Sequence, residues 1–187
     1  TRDAFEKELN ELGSLRAKAD AIRTRLAKSI NTKYQENPAY YENFSKRIKE
    51  ALELYKARTI TEAEYLAKMR DILEDYRTGK SAIAYPNRIR ANVHAQAFYG
   101  VLTAIFSNEK LSVEPDFAAE MALDITTIIE KHSQVDWTHN LTIHDRISQD
   151  IDDLFYRYQK EMGLVLSFDV IDMIIENVKT VALRRFA

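Results

Sequence analysis

Apolar residues recur at spacings of three and four along almost the whole chain, which is the pattern of helices that bury one side. Strand-like alternation of apolar and polar residues is not sustained anywhere. The pattern predicts about seven helices in an all-α, bundle-like fold. Because 187 residues are enough for one domain with its own core, we expect residues 1–187 to form a single helical domain.

The first predicted helix runs from about Asp3 to Ile30. Gly13 lies inside it, and an internal glycine weakens a helix without necessarily ending it. We therefore expect residues 1–35 to form a long lead helix and residues 36–187 to form the helical core. The apolar side of the lead helix is formed by Phe5, Leu9, Leu12, Leu15, Ala19, Ile22, Leu26 and Ile30.

Capping residues predict where the next two helices begin. Asn37 is a capping residue and Pro38 suits a first helical turn, so a second helix begins there. Thr61 and Glu64 form a capping box for a third helix, which ends near Gly79. The turn between these helices is short, which predicts an antiparallel hairpin.

Four more helices are predicted in the second half of the chain. The fourth covers about Ile89 to Ile105, and its wide apolar arc predicts a central position. Pro115 begins the fifth, the sixth covers residues 143–158, and Ser167 caps the seventh.

Composition excludes several kinds of chemistry. The chain has no cysteine, so disulfides, thiolate metal sites and cysteine nucleophiles are excluded, and a cytoplasmic location is expected. With only 4 glycines it has no glycine-rich phosphate loop, so we expect no ATP site here. No apolar run approaches the roughly 20 residues of a membrane span. The chain opens at Thr1 in the middle of an amphipathic pattern, and we expect it to be a region of a longer protein.

Histidine and aspartate positions do not favour a metal or catalytic site. A helical metal pair needs ligands three or four residues apart, whereas His139 and His144 are five apart and lack a matching third ligand. The serines lie in no nucleophile-elbow motif. The four histidines are His94, His132, His139 and His144, with Asp136 and Asp145 nearby, and we expect no catalytic residue, metal or cofactor in this chain.

Two features are candidates for contact with another protein. Asp150, Asp152 and Asp153 are neighbouring like charges on one helix, which mostly mark solvent or a basic partner. Trp137 is the only tryptophan, and it either fills a joint between two helices or anchors a partner. We predict partner contacts at all four residues.

The net charge of −2 hides an uneven distribution. Residues 1–110 hold 20 Lys/Arg against 15 Asp/Glu, and residues 111–176 hold 4 against 14. If the basic residues converge, they form a sequence-independent strip for DNA phosphates; otherwise they solvate the polar sides of helices. The predicted phosphate contacts are Arg16, Lys18, Arg23, Arg25, Lys28, Lys33, Arg77, Lys80, Arg88 and Arg90.

Several local motifs occur in one order across nearly the whole chain, and together they resemble a known family. It is the C-terminal helical region of the restriction subunit of type I restriction-modification enzymes. The motifs are Asn-Pro-Ala-Tyr-Tyr at 37–41, Ile-Thr-Glu-Ala-Glu-Tyr-Leu at 60–66, Ala-Phe-Tyr-Gly-Val-Leu at 97–102, Val-Asp-Trp at 135–137, and Leu-Ser-Phe-Asp-Val-Ile-Asp-Met-Ile-Ile at 166–175 followed by Arg184 and Arg185.

The resemblance implies a parent protein with a nuclease domain and two ATPase lobes, to which the lead helix would link. Such a parent translocates and cleaves double-stranded DNA, using ATP and Mg²⁺ bound outside this region. None of its catalytic motifs maps onto this chain. The resemblance implies that the helical region docks the motor onto the methyltransferase and specificity subunits and helps to hold DNA. The alternative is a purely structural bundle without nucleic-acid contact.

Overall fold

The computed structural model describes residues 2–134 and 136–187, without the side chain of Arg2; Val135 of the Val-Asp-Trp motif lies outside the described residues. Across the described residues the chain forms α-helices and short 3₁₀ turns but no strand, which confirms the all-α prediction. The helices are α1 (Arg2–Glu11), α2 (Leu15–Lys33), α3 (Pro38–Lys56), α4 (Glu62–Thr78), α5 (Val93–Asn108), α6 (Pro115–His132), α7 (Leu141–Met162) and α8 (Phe168–Arg185).

The predicted lead helix is two helices, so the prediction of one continuous helix over residues 1–35 is wrong. The helix breaks at residues 12–14, where Gly13 lowers the cost of leaving the helical conformation. Ser14 then starts α2, because its side chain accepts a hydrogen bond from Ala17 N at 3.0 Å. This break accounts for eight helices where the periodicity predicts about seven.

The capping predictions at Thr61, Gly79, Pro115 and Ser167 are confirmed. Thr61 and Glu64 form both hydrogen bonds of a capping box at the start of α4, and Gly79 ends that helix in the left-handed conformation. Pro115 is the first residue of α6. The Ser167 side chain accepts a hydrogen bond from Val170 N and caps α8.

The described chain gathers into two compact units, each with its own apolar core. Unit 1 comprises Thr1–Tyr34 and Tyr40–Ala84, and unit 2 comprises Gln35–Ala39 and Tyr85–Ala187. The prediction of a single domain requires the two units to fold together. Their separate cores do not test this, so it stays a prediction.

Unit 1 contains the predicted antiparallel hairpin, formed by α3 and α4. Tyr55 of α3 stacks on Tyr65 near the start of α4, with ring centroids 4.8 Å apart. Further back along α3, Arg47 bonds Asp75 near the end of α4 at 2.6 Å. As the residue number falls along α3, the number of the contacting residue on α4 rises. The two helices are therefore antiparallel, and the predicted hairpin is confirmed. Helix α2 packs against α4 and buries Ala19, Ile22, Leu26 and Ile30.

In unit 2, α5 packs against both α6 and α8, and its buried positions cover most of its circumference. This confirms the predicted central position. Near the carboxyl end, Arg185 of α8 donates hydrogen bonds to Glu36 O and Val93 O, both at 3.0 Å. The residues that precede α3 are thereby tied to the core of unit 2.

No helix among the described residues is long and apolar enough to cross a membrane.

Candidate nucleic-acid and partner surfaces

The ten predicted phosphate contacts are divided between the two units. Eight lie in unit 1, six of them on or at the end of α2 and two near the end of α4. Arg88 and Arg90 lie in unit 2, in and just after a 3₁₀ turn. The predicted phosphate contacts therefore belong to two separate units.

The basic residues of α2 lie on opposite flanks of its buried side. Because side chains three, four and seven residues apart share a helix face, Arg16 and Arg23 fall on one flank and Lys18 and Arg25 on the other. Asp20 lies between the first pair, 3.7 Å from Arg16 Nε and 3.4 Å from Arg23 Nε. Its carboxylate partly neutralises that flank.

The opposite flank carries Lys18, Arg25 and Lys28, which we call the α2 basic stripe. Arg25 and Lys28 are exposed, and Lys18 is half-buried. The Arg25 guanidinium lies 4.3 Å from the centre of the Phe5 ring, a cation–π contact that holds the side chain against α1. None of the three forms an ion pair with another described residue. Their charge remains available to an external anion.

Two of the remaining basic side chains are engaged inside their units. In unit 1, Arg77 bonds Glu6 of α1 at 3.4 Å. In unit 2, Arg88 bonds Glu120 of α6 at 3.2 Å. The other three predicted contacts, Lys33, Lys80 and Arg90, are exposed.

The three predicted aspartates differ in their surroundings. The Asp150 carboxylate is bonded by Lys131 Nζ at 2.9 Å and lies 2.8 Å from His132 Nε2, both on α6. The hydrogen bond to His132, followed by the one to Lys131, lowers the pKa of Asp150 below its usual value. Asp150 therefore joins α6 to α7. Asp152 and Asp153 are exposed, and of these Asp153 accepts a hydrogen bond from Gln149.

A shallow groove of about 480 Å³ runs between α6 and α7 beside Asp150 and Asp153. Most of its lining charges are paired across the groove, since Arg157 bonds Asp124 at 3.2 Å and Lys131 bonds Asp150 at 2.9 Å. Tyr158 also donates a 2.6 Å hydrogen bond to Asp124, and burial together with this bond raises the pKa of the phenol. Paired charges leave the groove little net attraction for a charged ligand.

Trp137 is 2% exposed and fills a joint in unit 2. Its Nε1 donates a 3.0 Å hydrogen bond to Phe186 O, and its own carbonyl lies 3.1 Å from His144 Nε2. Because the indole is buried, it has no exposed face for a partner. Its position agrees with the alternative in which Trp137 fills a joint between two helices.

The histidines have separate surroundings. His132 contacts Asp150, His144 contacts Trp137 O, His94 accepts from Arg185 Nε at 3.3 Å, and His139 is exposed. Within residues 2–134 and 136–187, no group of three or more His, Asp or Glu side chains has an arrangement that would hold a metal ion.

Sequence reasoning missed the acids that engage the predicted cations. The Asp20 contacts were detectable, because four residues separate it from Arg16 and three from Arg23. The pairing of Arg77 with Glu6 joins residues 71 positions apart, and no local pattern signals it.

Two comparisons with known proteins point to the same enzyme subunit. A family model described as "Type I restriction enzyme HindI endonuclease subunit-like, C-terminal" matches residues 2–182. The Type I restriction enzyme HindI endonuclease subunit of Haemophilus influenzae is 25% identical over 127 residues, which are 68% of this chain and 12% of that protein. The match thus spans a small part of the relative's length. No solved structure matches the chain.

Proposed function

The chain belongs to the family of type I restriction enzyme HindI endonuclease subunit-like C-terminal domains, and from this membership we propose that it is a non-catalytic assembly and DNA-positioning domain. In this proposal it docks an endonuclease subunit onto methyltransferase and specificity subunits and contacts the phosphates of double-stranded DNA. Cleavage and translocation, with ATP and Mg²⁺, belong to other parts of the parent protein. Family membership also supports a cytoplasmic location.

The observation that carries this proposal is the opposite charge of the two units. Unit 1 holds 17 Lys/Arg against 13 Asp/Glu, and unit 2 holds 10 against 16. A positive surface attracts nucleic acid, and a negative one repels it and favours basic protein surfaces. DNA contact is therefore assigned to unit 1, and protein contact to unit 2.

Within unit 1, the α2 basic stripe is the part best suited to phosphates. Its three cations share one flank of α2, and no acid among the described residues pairs with them in the way that Asp20 pairs with Arg16 and Arg23. Contacts of this kind depend on counterion release and do not read sequence. Lys33 and Lys80, exposed in the same unit, would add further contacts. Sequence recognition is then left to another subunit.

Neutralising the stripe tests this assignment. We expect Lys18→Gln/Arg25→Gln/Lys28→Gln to lower duplex affinity and to reduce the slope of log K against log salt by about 2–3, since each lost phosphate contact removes about 0.9. The measurement is fluorescence anisotropy of a labelled duplex across a salt series.

The matched control is Arg16→Gln/Arg23→Gln, which removes cations from the opposite flank of the same helix. Because Asp20 already neutralises part of the charge of these two, the control should keep a salt slope within about 1 of the wild-type value. Equal losses in both variants would show that general charge is responsible. No loss in either would remove α2 from the DNA contact.

The second candidate is a purely structural bundle without nucleic-acid contact. The observation in its favour is that four of the ten predicted contacts, Arg16, Arg23, Arg77 and Arg88, already form ion pairs inside the protein. Under this alternative, the chain shows no salt-dependent affinity for duplex DNA, and both α2 variants behave like the wild type.

A further inference from the structure

Three large apolar side chains are exposed together where α7 ends and α8 begins. Met162 is 61% exposed, Val165 is 83% exposed and Phe168 is 84% exposed. We call these three residues the α7–α8 tip. Single exposed apolar residues are common on protein surfaces, but three within seven residues are unusual, and they include the two most exposed large hydrophobic side chains of the described chain.

The backbone of the tip is fixed at both ends, so the exposure is not that of a loose loop. Gly163 ends α7 in the left-handed conformation, and its N–H bonds Tyr158 O. Ser167 caps α8, and Gln159 Nε2 donates to Leu166 O at 3.4 Å. With Leu166 buried against the core, its neighbour Val165 must point outwards.

Phe168 is not needed by the helix that it begins. Leu166 and Ile171 occupy the two positions of a hydrophobic staple and are both buried. Phe168 is the first residue of α8, a position where a proline or a polar residue serves equally well. A phenyl ring with most of its surface in water therefore contributes little to the stability of unit 2.

The surroundings of the tip are predominantly acidic in sequence. Residues 160–176 contain one base, the exposed Lys160. They contain four acids, all of them exposed, namely Glu161, Asp169, Asp172 and Glu176, and of these Glu176 forms an ion pair with Lys179 at 2.6 Å. Asp172 is four residues from Phe168 and so lies on the same helix face. Apolar anchors surrounded mainly by negative charges match a partner with an apolar pocket and a mainly basic rim.

We propose that the α7–α8 tip is the docking point of this domain for a basic, apolar-lined surface on a partner subunit of the complex. This inference rests on the proposed assembly function and adds to it the place of contact. Val165 and Phe168 enter the partner's pocket as the energetic centre. Glu161, Asp169 and Asp172 face Lys or Arg side chains at its rim, where they accelerate association more than they strengthen the final complex.

The test compares variants of the full endonuclease subunit that carries this chain. Binding to the purified complex of methyltransferase and specificity subunits is measured by interferometry at low and near-physiological salt. Val165→Ser/Phe168→Ser should weaken binding at least about tenfold. Glu161→Lys/Asp172→Lys should weaken it several-fold at low salt, with a smaller difference at high salt because salt screens exposed charges.

The chain offers a closely matched control at the other end of α7. Leu141 is the first residue of α7, is 76% exposed, and has Asp145 four residues further on, as Phe168 has Asp172. Leu141→Ser and Asp145→Lys should leave binding unchanged. All the substituted side chains are exposed, so thermal unfolding should stay at the wild-type value; if the serine variant melts lower, the charge-reversal pair decides.

The outcomes separate this inference from the assembly function itself. If deletion of the whole domain abolishes binding while both tip variants bind like the wild type, assembly stands and the tip is not the contact. If the deletion has no effect, both proposals fail. If the isolated chain is a dimer in sedimentation and Val165→Ser/Phe168→Ser makes it monomeric, the occupant is a second copy, which also overturns the proposal.

Discussion

At the scale of single residues, Gly100 illustrates how closely α5 is approached in unit 2. A Cβ atom built on Gly100 would lie 2.6 Å from the Cβ of Ala39, which is closer than carbon atoms can come without movement. Ala39 Cβ is attached directly to the backbone, so relief requires the main chain to shift. The φ of Gly100 is not positive, so its backbone conformation does not require glycine. Glycine is required because a side chain would not fit.

Gly100→Ala should therefore lower the free energy of unfolding by about 1–3 kcal/mol, the usual cost of overpacking. Chemical denaturation monitored by circular dichroism measures it. Gly13→Ala is the control, because nothing lies within 4 Å of its Cβ and its φ is not positive. It should leave stability unchanged or raise it by up to about 1 kcal/mol. Equal stability of Gly100→Ala and wild type would contradict the close approach.

The surroundings of His94 predict that the stability of the fold depends on pH. Burial, followed by the charge of Arg185, lowers the pKa of His94, and Glu130 opposes this only in part. The unfolded chain therefore takes up this proton at a higher pH than the folded chain, so the fold loses stability as pH falls below about 6.5. His94→Gln should reduce the loss of unfolding free energy between pH 7 and pH 5, measured by denaturation at each pH.

The comparison for His94 is His139→Gln, which removes an exposed histidine of the same unit. Its stability should follow the wild-type pH dependence. Identical slopes for His94→Gln and wild type would show that protonation of His94 is not linked to folding.

Residue roles were predictable from sequence only where the partner lies nearby along the chain. The neutralisation of Arg16 and Arg23 by Asp20 follows from helical spacing, whereas the engagement of Arg77 by Glu6 depends on how α1 packs in unit 1. Trp137 is likewise buried by tertiary packing, and its hydrogen bond to Phe186 O joins residues 49 positions apart. Local chemistry identifies the candidates, and tertiary packing selects among them.

At the scale of elements, the start of α2 depends on Ser14. Its Oγ accepts from Ala17 N, one of the amide groups that a helix start leaves without an internal partner. Ser14→Ala should lower the free energy of unfolding by about 1 kcal/mol, and Ser14→Asp, which keeps an acceptor, should retain it. The two variants are compared by thermal unfolding followed by circular dichroism at about 222 nm, the usual helical band. A Ser14→Ala melt equal to the wild type would contradict the cap.

Periodicity predicted every other helix but missed the break after α1. The apolar spacing continues through Leu12 and Leu15 as though the helix were unbroken, yet Leu12 is only half-buried and Leu15 is 44% exposed. Apolar spacing cannot reveal a helix break when the apolar residues keep the same spacing across it. The signals that were present, Gly13 followed by a serine, are weaker than the capping box that fixes the start of α4.

At the scale of the whole molecule, charge and burial divide the chain in the same place. Each unit has its own core, and the unit with the excess of Lys/Arg carries the α2 basic stripe, while the unit with the excess of Asp/Glu carries the α7–α8 tip. The charge difference was visible in the sequence. The boundary was not, because residues 35–39 join the core of unit 2 although they precede most of unit 1 in the chain.

The central claim is that this chain holds duplex DNA by its phosphates. The most direct test is fluorescence anisotropy of a labelled duplex of about 30 base pairs, titrated with the chain at low and at near-physiological salt. The account predicts binding at low salt that weakens linearly in log K against log salt and does not depend on the duplex sequence. No binding even at low salt would contradict it and leave protein docking as the function of the domain.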